Sequence, residues 1–215
     1  EGLAASQVWH VMQDRRGYLW VASTWGLCRY DGVSFTTLSI PEGLPSPNVR
    51  LTLEDGNGTL WIGTNGGVAA YDGRRVVSHA GKGGALAGTV WSGAVDRHGA
   101  LWFGTDRGLV SYDGEKFRTF LRADGLADDY VYSLFPASDG SIWLGSRGQG
   151  VARCTLEPGG RLGNCRVFTA ADGLGHDSVR AITEDRQGTL YFATRGGGLA
   201  RFDGVAFDVF NAQNT

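Results

Sequence analysis

The chain has 215 residues, a formal net charge of −2 and 42% hydrophobic residues. A near-neutral chain without a basic stripe is a poor match for nucleic acid. No apolar run approaches the roughly 18 residues that a membrane helix needs, and no stretch reads as a secretory leader. The sequence opens at Glu1 rather than Met, as a mature, trimmed or excised piece would. Glycine accounts for 35 positions, and they recur at fixed offsets, as turn residues in tight hairpins do.

Taken in order, the chain repeats one grammar five times. Each unit opens with a Gly-Leu loop: Gly2-Leu3, Gly43-Leu44, Gly125-Leu126 and Gly173-Leu174, with Ala85-Leu86 in the third unit. A first strand follows, starting at Val8, Val49, Val90, Val131 and Val179 and alternating apolar residues thereafter. A four-residue turn comes next, opened by Asp14, Asp55, Asp96 and Asp185 and carrying Gly17, Gly58, Gly99, Gly140 and Gly188. The fourth unit has Ala137 where the others have Asp, and its acid moves to Asp139. Such acids accept hydrogen bonds from turn amides, and their recurrence marks them as structural.

The second strand is the most regular. It reads Leu60-Trp61-Ile62-Gly63-Thr64, and its aromatic recurs at 20, 61, 102, 143 and 191, in three steps of 41 and one of 48. After a Gly-rich turn, a third strand ends in Tyr-Asp-Gly or Phe-Asp-Gly at 30–32, 71–73, 112–114 and 202–204, a hairpin signal into a short fourth strand. A period of roughly 40–45 residues with four strands per period is the signature of a β-propeller. The prediction is a single all-β domain over 1–215, five four-stranded antiparallel blades with repeats near 1–41, 42–82, 83–123, 124–171 and 172–215. The termini offer no overlapping strand, and 211–215 read as the start of another inter-blade loop. The five blades are therefore expected to close end to end, to belong to a ring of about seven, or to be completed by association.

The seven extra residues fall in the fourth unit, where Cys154 and Cys165 flank a ten-residue insertion in place of Asp-Gly. Two readings stand: three buried free thiols, or a Cys154–Cys165 bridge across paired strands with Cys28 buried alone.

Residues that hold a fold repeat, and residues that bind a particular ligand vary between repeats. The position after each strand-one Val reads Trp9, Arg50, Trp91, Tyr132 and Arg180. Strand one is innermost in a propeller, so this column should ring one mouth of the channel. Trp, Tyr and Arg are hot-spot types; aromatic faces stack on sugar rings and Arg pairs with carboxylates or sulfates. A second variable column, the turn after strand two on the same face, reads Trp25, Gly66 and Arg107, with Arg147 and Arg195 near the equivalent place. The structural alternative is packing between blades for the first column and solvated loop for the second. His10, His79, His98 and His176 fall at different phases of the repeat, with no metal-ligand spacing, and no nucleophile elbow is present. No cofactor or metal is expected.

The string Asp-x-x-Gly-x-Leu-Trp-x-Gly-Thr-x-x-Gly-Leu-x-x-Tyr-Asp-Gly-x-x-Phe is nearly whole from Asp96 to Phe117, and closely matched from Asp14 to Phe35 and Asp55 to Gly73. This resembles the two-component regulator propeller repeat, over all five units. The resemblance implies a non-catalytic, periplasmic ligand-sensing region of a bacterial membrane receptor, with a histidine kinase or diguanylate cyclase as output. It implies a small-molecule or oligosaccharide ligand, and attachment to the membrane only through a segment outside this chain. Partners of the propeller itself would be the remaining blades of the same receptor, or a second copy. A lectin or scaffold is the second reading. The third is an enzyme: streptogramin lyases have a similar Gly-x-Leu-Trp repeat, and Ser138–Trp143 faintly resembles the Asp-rich turn of sialidases. Arg50, Arg107 and Arg180 would have to form a sialidase triad, but the rest of that pattern is missing.

Overall fold

The computed structural model describes residues 2–81 and 84–212; the last three residues of the proposed final loop lie outside these. Twenty strands form five separate antiparallel sheets, each of four consecutive strands. Blade one is β1 (Val8–Gln13), β2 (Leu19–Ser23), β3 (Gly26–Tyr30) and β4 (Phe35–Leu38). Blade two is β5 (Val49–Glu54), β6 (Leu60–Thr64), β7 (Gly67–Tyr71) and β8 (Val76–Ser78). Blade three is β9 (Val90–Val95), β10 (Leu101–Thr105), β11 (Gly108–Tyr112) and β12 (Phe117–Phe120). Blade four is β13 (Val131–Pro136), β14 (Ser141–Ser146), β15 (Val151–Glu157) and β16 (Arg161–Phe168). Blade five is β17 (Val179–Glu184), β18 (Leu190–Thr194), β19 (Gly198–Phe202) and β20 (Phe207–Phe210). The innermost strands pack in sequence, β1 on β5, β5 on β9, β9 on β13 and β13 on β17.

The repeated acid explains the repeated aromatic. In blade three, Asp96 Oδ1 accepts the amides of His98 (2.8 Å) and Ala100 (3.0 Å), and its Oδ2 accepts the Trp102 indole N–H at 2.8 Å. Asp14 and Asp55 hold Trp20 and Trp61 in the same way, at 2.8 and 2.9 Å, and Asp185 accepts the Tyr191 hydroxyl at 3.2 Å. One carboxylate thus closes the turn and fixes the rotamer of the residue that fills the space between blades. Blade four departs from this. With Ala137 in the acid's place, the Trp143 indole N–H is buried without a partner, and Asp139 instead accepts Ser141 and pairs with Arg153.

Four apolar layers lie between the five blades, centred on Trp20 and Ile62, Trp61 and Phe103, Trp102 and Leu134, and Trp143 and Phe192. Each interface uses one seat. The small residue two after the aromatic leaves room for the first Val of the next blade: a Cβ on Gly104 would stand 2.9 Å from Val131, and one on Gly145 2.9 Å from Val179. The turn glycine Gly67, at φ 118°, is required twice over, because a side chain there would strike the Leu86 carbonyl.

The two end blades leave this seat unfilled. Val8 is 39% exposed, whereas Val49, Val90, Val131 and Val179 are at most 2% exposed. At the other end Leu199 is 40% exposed, while its equivalents Leu27, Val68, Leu109 and Val151 are fully buried. The described blades therefore form an arc that is not closed end to end.

Cys154 and Cys165 sit opposite one another on β15 and β16 and are bonded, their Cα atoms 4.1 Å apart; Cys28 is free and buried. The extra residues of the fourth unit lengthen the strands themselves rather than only their loop, because the bridge and continued pairing to Glu157–Arg161 hold the added chain in the sheet. The turn beyond folds onto blade three: Ser111 Oγ donates to the Gly160 carbonyl at 2.6 Å, and Arg118 donates to that of Gly159 at 2.6 Å.

Two outcomes follow for stability. Ala137→Asp should restore the missing acceptor and stabilise by ~1 kcal/mol, raising Tm by about 2–4 °C; Trp143→Phe should be nearly neutral, whereas Trp102→Phe should cost ~1–2 kcal/mol by leaving Asp96 short of a donor. Thermal unfolding of the three variants decides this, and a drop in Tm for Ala137→Asp would contradict it. Val90→Asp should unfold the protein, because it buries an unpaired charge, while Val8→Asp should move Tm by only a degree or two. Equal losses for both would mean that the Val8 face is covered.

Candidate functional site

The strand-one column owes its position to a local irregularity repeated in every blade. In blade one Val8 pairs with Ser23 and His10 with Ala22, so Trp9 is the extra, unpaired residue of a β-bulge. The same skip falls at Arg50, Trp91, Tyr132 and Arg180. A bulge re-aims its extra side chain out of the sheet, and here it turns one residue per blade towards the mouth formed by the strand-one starts.

The five side chains stack on one another in blade order. The Arg50 guanidinium lies 4.2 Å from the Trp9 ring and 4.8 Å from that of Trp91. Trp91 stacks on Tyr132 at 5.2 Å and 20°, and Arg180 lies 4.3 Å above Tyr132. Trp9 is 43% exposed, and the other four are half-buried. The row is therefore neither buried between blades nor free in solvent. Each cation–π contact contributes roughly 0.5–2 kcal/mol, and stacking covers the guanidinium faces while leaving their edges to donate. Arg50 Nε donates to Asn65 Oδ1 at 2.7 Å, which fixes its plane. Burial lowers the Arg50 pKa, opposed by Tyr132 and Tyr130. The Trp91 indole N–H is buried without a partner.

Of the second column, only Arg147 joins this row, lying 5.4 Å from the Tyr130 ring. Trp25 is 70% exposed, and Arg107 and Arg195 are exposed at their loop tips. Their backbones are fixed, Arg107 N donating to Thr105 Oγ1 and Arg195 N to the Ser178 carbonyl, but their side chains stand off the row.

Two residues outside both columns belong to the site. Tyr130 packs 5.8 Å from Trp91 and 6.4 Å from Tyr132, and burial raises its pKa, opposed chiefly by Arg147. Asn65 is the Arg50 anchor. The signal for Tyr130 was its place two residues before Tyr132; that for Asn65 was its place at the head of a variable turn.

The family described as two component regulator propeller matches residues 2–25, 43–66, 125–148 and 173–196, each from the Gly-Leu loop to the turn after strand two. Among solved structures, the extracellular domain described as a hybrid two component system of B. thetaiotaomicron is 25% identical, with a TM-score of 0.83. The chain aligns over 99% of its own length and 29% of that domain. A second such domain from B. thetaiotaomicron, of a one component system, is 23% identical with a TM-score of 0.52; 98% of this chain covers 36% of it. Virginiamycin B lyase from Staphylococcus aureus shares the fold at 14% identity and a TM-score of 0.71, with 97% of this chain covering 72% of that one. The chain thus spans about a third of the length of the B. thetaiotaomicron domains it resembles. No match is found among curated proteins. Four repeats of the two component regulator propeller family thus lie within a β-propeller of five four-stranded blades.

Proposed function

We propose that this propeller is the non-catalytic, extracytoplasmic ligand-sensing part of a bacterial signalling receptor, placed in the periplasm, and that it binds a small anionic or saccharide ligand at the mouth carrying Trp9, Arg50, Trp91, Tyr132 and Arg180. The observation that carries the reading is the stacked row itself. Aromatic faces are interleaved with guanidinium groups along one mouth, built from residues that the repeat leaves free to vary. Arg50 is pre-oriented by Trp9, Trp91 and Asn65, so little rotamer freedom remains to be lost on binding. Arg180 makes no ion pair among the described residues, so its edge is available to an oxyanion. The ligand therefore reads as a planar acid or an acidic sugar lying against Trp91 and Tyr132, with Trp25, Arg107, Arg147 and Arg195 around it as outer contacts. Sensing rather than catalysis is supported by the family and by the extracellular two-component domains of similar structure; the likeness to the lyase is one of fold. The remaining blades of the same receptor are the natural cover for the Val8 and Leu199 faces.

Calorimetric titration with uronic-acid-bearing oligosaccharides, against neutral oligosaccharides of equal length, tests this. The acidic set should bind and the neutral set should not. Trp91→Ala and Arg180→Gln should each weaken binding by about tenfold or more, the loss of one stacked or charge-assisted contact, with circular dichroism unchanged. Equal binding of neutral sugars, or acidic binding untouched by Arg180→Gln, would contradict the assignment.

A further inference from the structure

Away from the mouth, blade four carries a second cluster of cations that the repeat does not require. Arg153 on β15 and Arg166 on β16 are direct cross-strand partners. The same position pairs Arg29 with Thr36, Ala70 with Val77, Ser111 with Arg118 and Arg201 with Asp208 in the other blades. Like charges placed directly opposite are destabilising, and only blade four has them. Both arginines line a recess of about 360 Å³, and Arg97 enters it from the neighbouring turn of blade three. The Arg97 guanidinium lies where a side chain at residue 140 would stand, so Gly140 makes room for it.

The acids present leave this cluster short of negative charge. Asp139 Oδ2 accepts from Arg153 at 2.7 Å, and its Oδ1 is taken by the Ser141 amide and hydroxyl. Asp172 lies near enough to Arg166 to feel its charge, but its carboxylate is engaged by the Thr169 amide and hydroxyl. Arg166 stacks 4.4 Å over Phe168, and Arg97 Nε donates to His98 Nε2 at 3.3 Å. Three guanidinium groups thus converge on one recess from a turn and two strands, against one lining carboxylate.

We propose that this recess is an oxyanion site that takes a sulfate or phosphate group. A tetrahedral anion offers acceptors in three directions at once, which suits cations arriving from three segments; a planar carboxylate serves one or two. Bound there, it removes the repulsion between Arg153 and Arg166. Because the recess is formed on blade four and the adjoining turn of blade three, its occupancy is independent of the ligand at the mouth.

The test is thermal unfolding in sodium sulfate and sodium phosphate against sodium chloride at matched ionic strength, followed by calorimetry with a sulfated disaccharide. Sulfate and phosphate stabilise most proteins non-specifically, so the readout is the difference between the intact protein and its variants. The intact protein should show an extra rise in Tm that Arg166→Gln and Arg97→Gln each lose, while Arg180→Gln at the mouth keeps it. Without anion, Arg166→Gln should melt no lower than the parent, since it removes a like-charge pair. Affinity should fall about tenfold for each arginine removed, the loss of a charge-assisted contact. Binding of the disaccharide, lost in Arg166→Gln, would identify an ester-borne group; binding of the free ions alone would identify an inorganic anion, and both support the site. An anion-induced rise equal in the parent, Arg97→Gln and Arg166→Gln, or one abolished by Arg180→Gln, would overturn it.

Discussion

In four of the five blades one carboxylate holds the turn and the aromatic together, and the fold depends on it. It caps its own turn through two amides and grips the indole N–H six residues on, as Asp96 does for Trp102. A buried indole N–H without an acceptor costs ~1–3 kcal/mol, a cost that the turn acid removes for Trp20, Trp61 and Trp102 and that Trp143 carries unmet. With that edge met, Trp20, Trp61 and Trp102 become rigid spacers, and the small residue two positions later receives the next blade's first Val. Local turn chemistry thereby fixes long-range packing, and the blade is the unit in which both are satisfied together.

The same economy explains why the mouth is free to vary. The bulge at each strand-one start turns one side chain out of the blade without disturbing the pairs on either side. Its identity is not dictated by packing, so the five positions can be spent on recognition. They have become a stack of three aromatic and two guanidinium groups in which each member touches its neighbour. Blade four departs further. It lacks the turn acid at Ala137, carries the disulfide and the long hairpin, and places two arginines face to face. Departures from a repeat of this kind concentrate where function or an added contact offsets their cost.

Much of this was legible in the residues. The spacing of 20, 61, 102, 143 and 191 gave the five blades, and the variability of the strand-one column pointed to Trp9, Arg50, Trp91, Tyr132 and Arg180, all of which the fold brings into contact. The stacking itself was not legible, because it depends on bulges that leave no mark in a strand's alternation. Nor was the separation of Arg107, Arg195 and Trp25 from the row, since loop side chains take their direction from turn geometry. Tyr130 and Asn65 escaped notice because they act on members of the column rather than belonging to it. The long hairpin of blade four looked like a loop because its Pro-Gly-Gly tip dominates the composition, whereas strand pairing carries most of its length.

The seven tryptophans divide into those held by the scaffold and those offered at the mouth, and their indole N–H resonances report on both. Nitrogen-15 spectra recorded while a uronic-acid oligosaccharide is added test the division directly. The account predicts that the Trp9 and Trp91 signals shift on titration, while those of Trp20, Trp61 and Trp102, each bonded to its turn acid, stay in place. Shifts centred on the acid-bound indoles, with Trp9 and Trp91 unmoved, would contradict it.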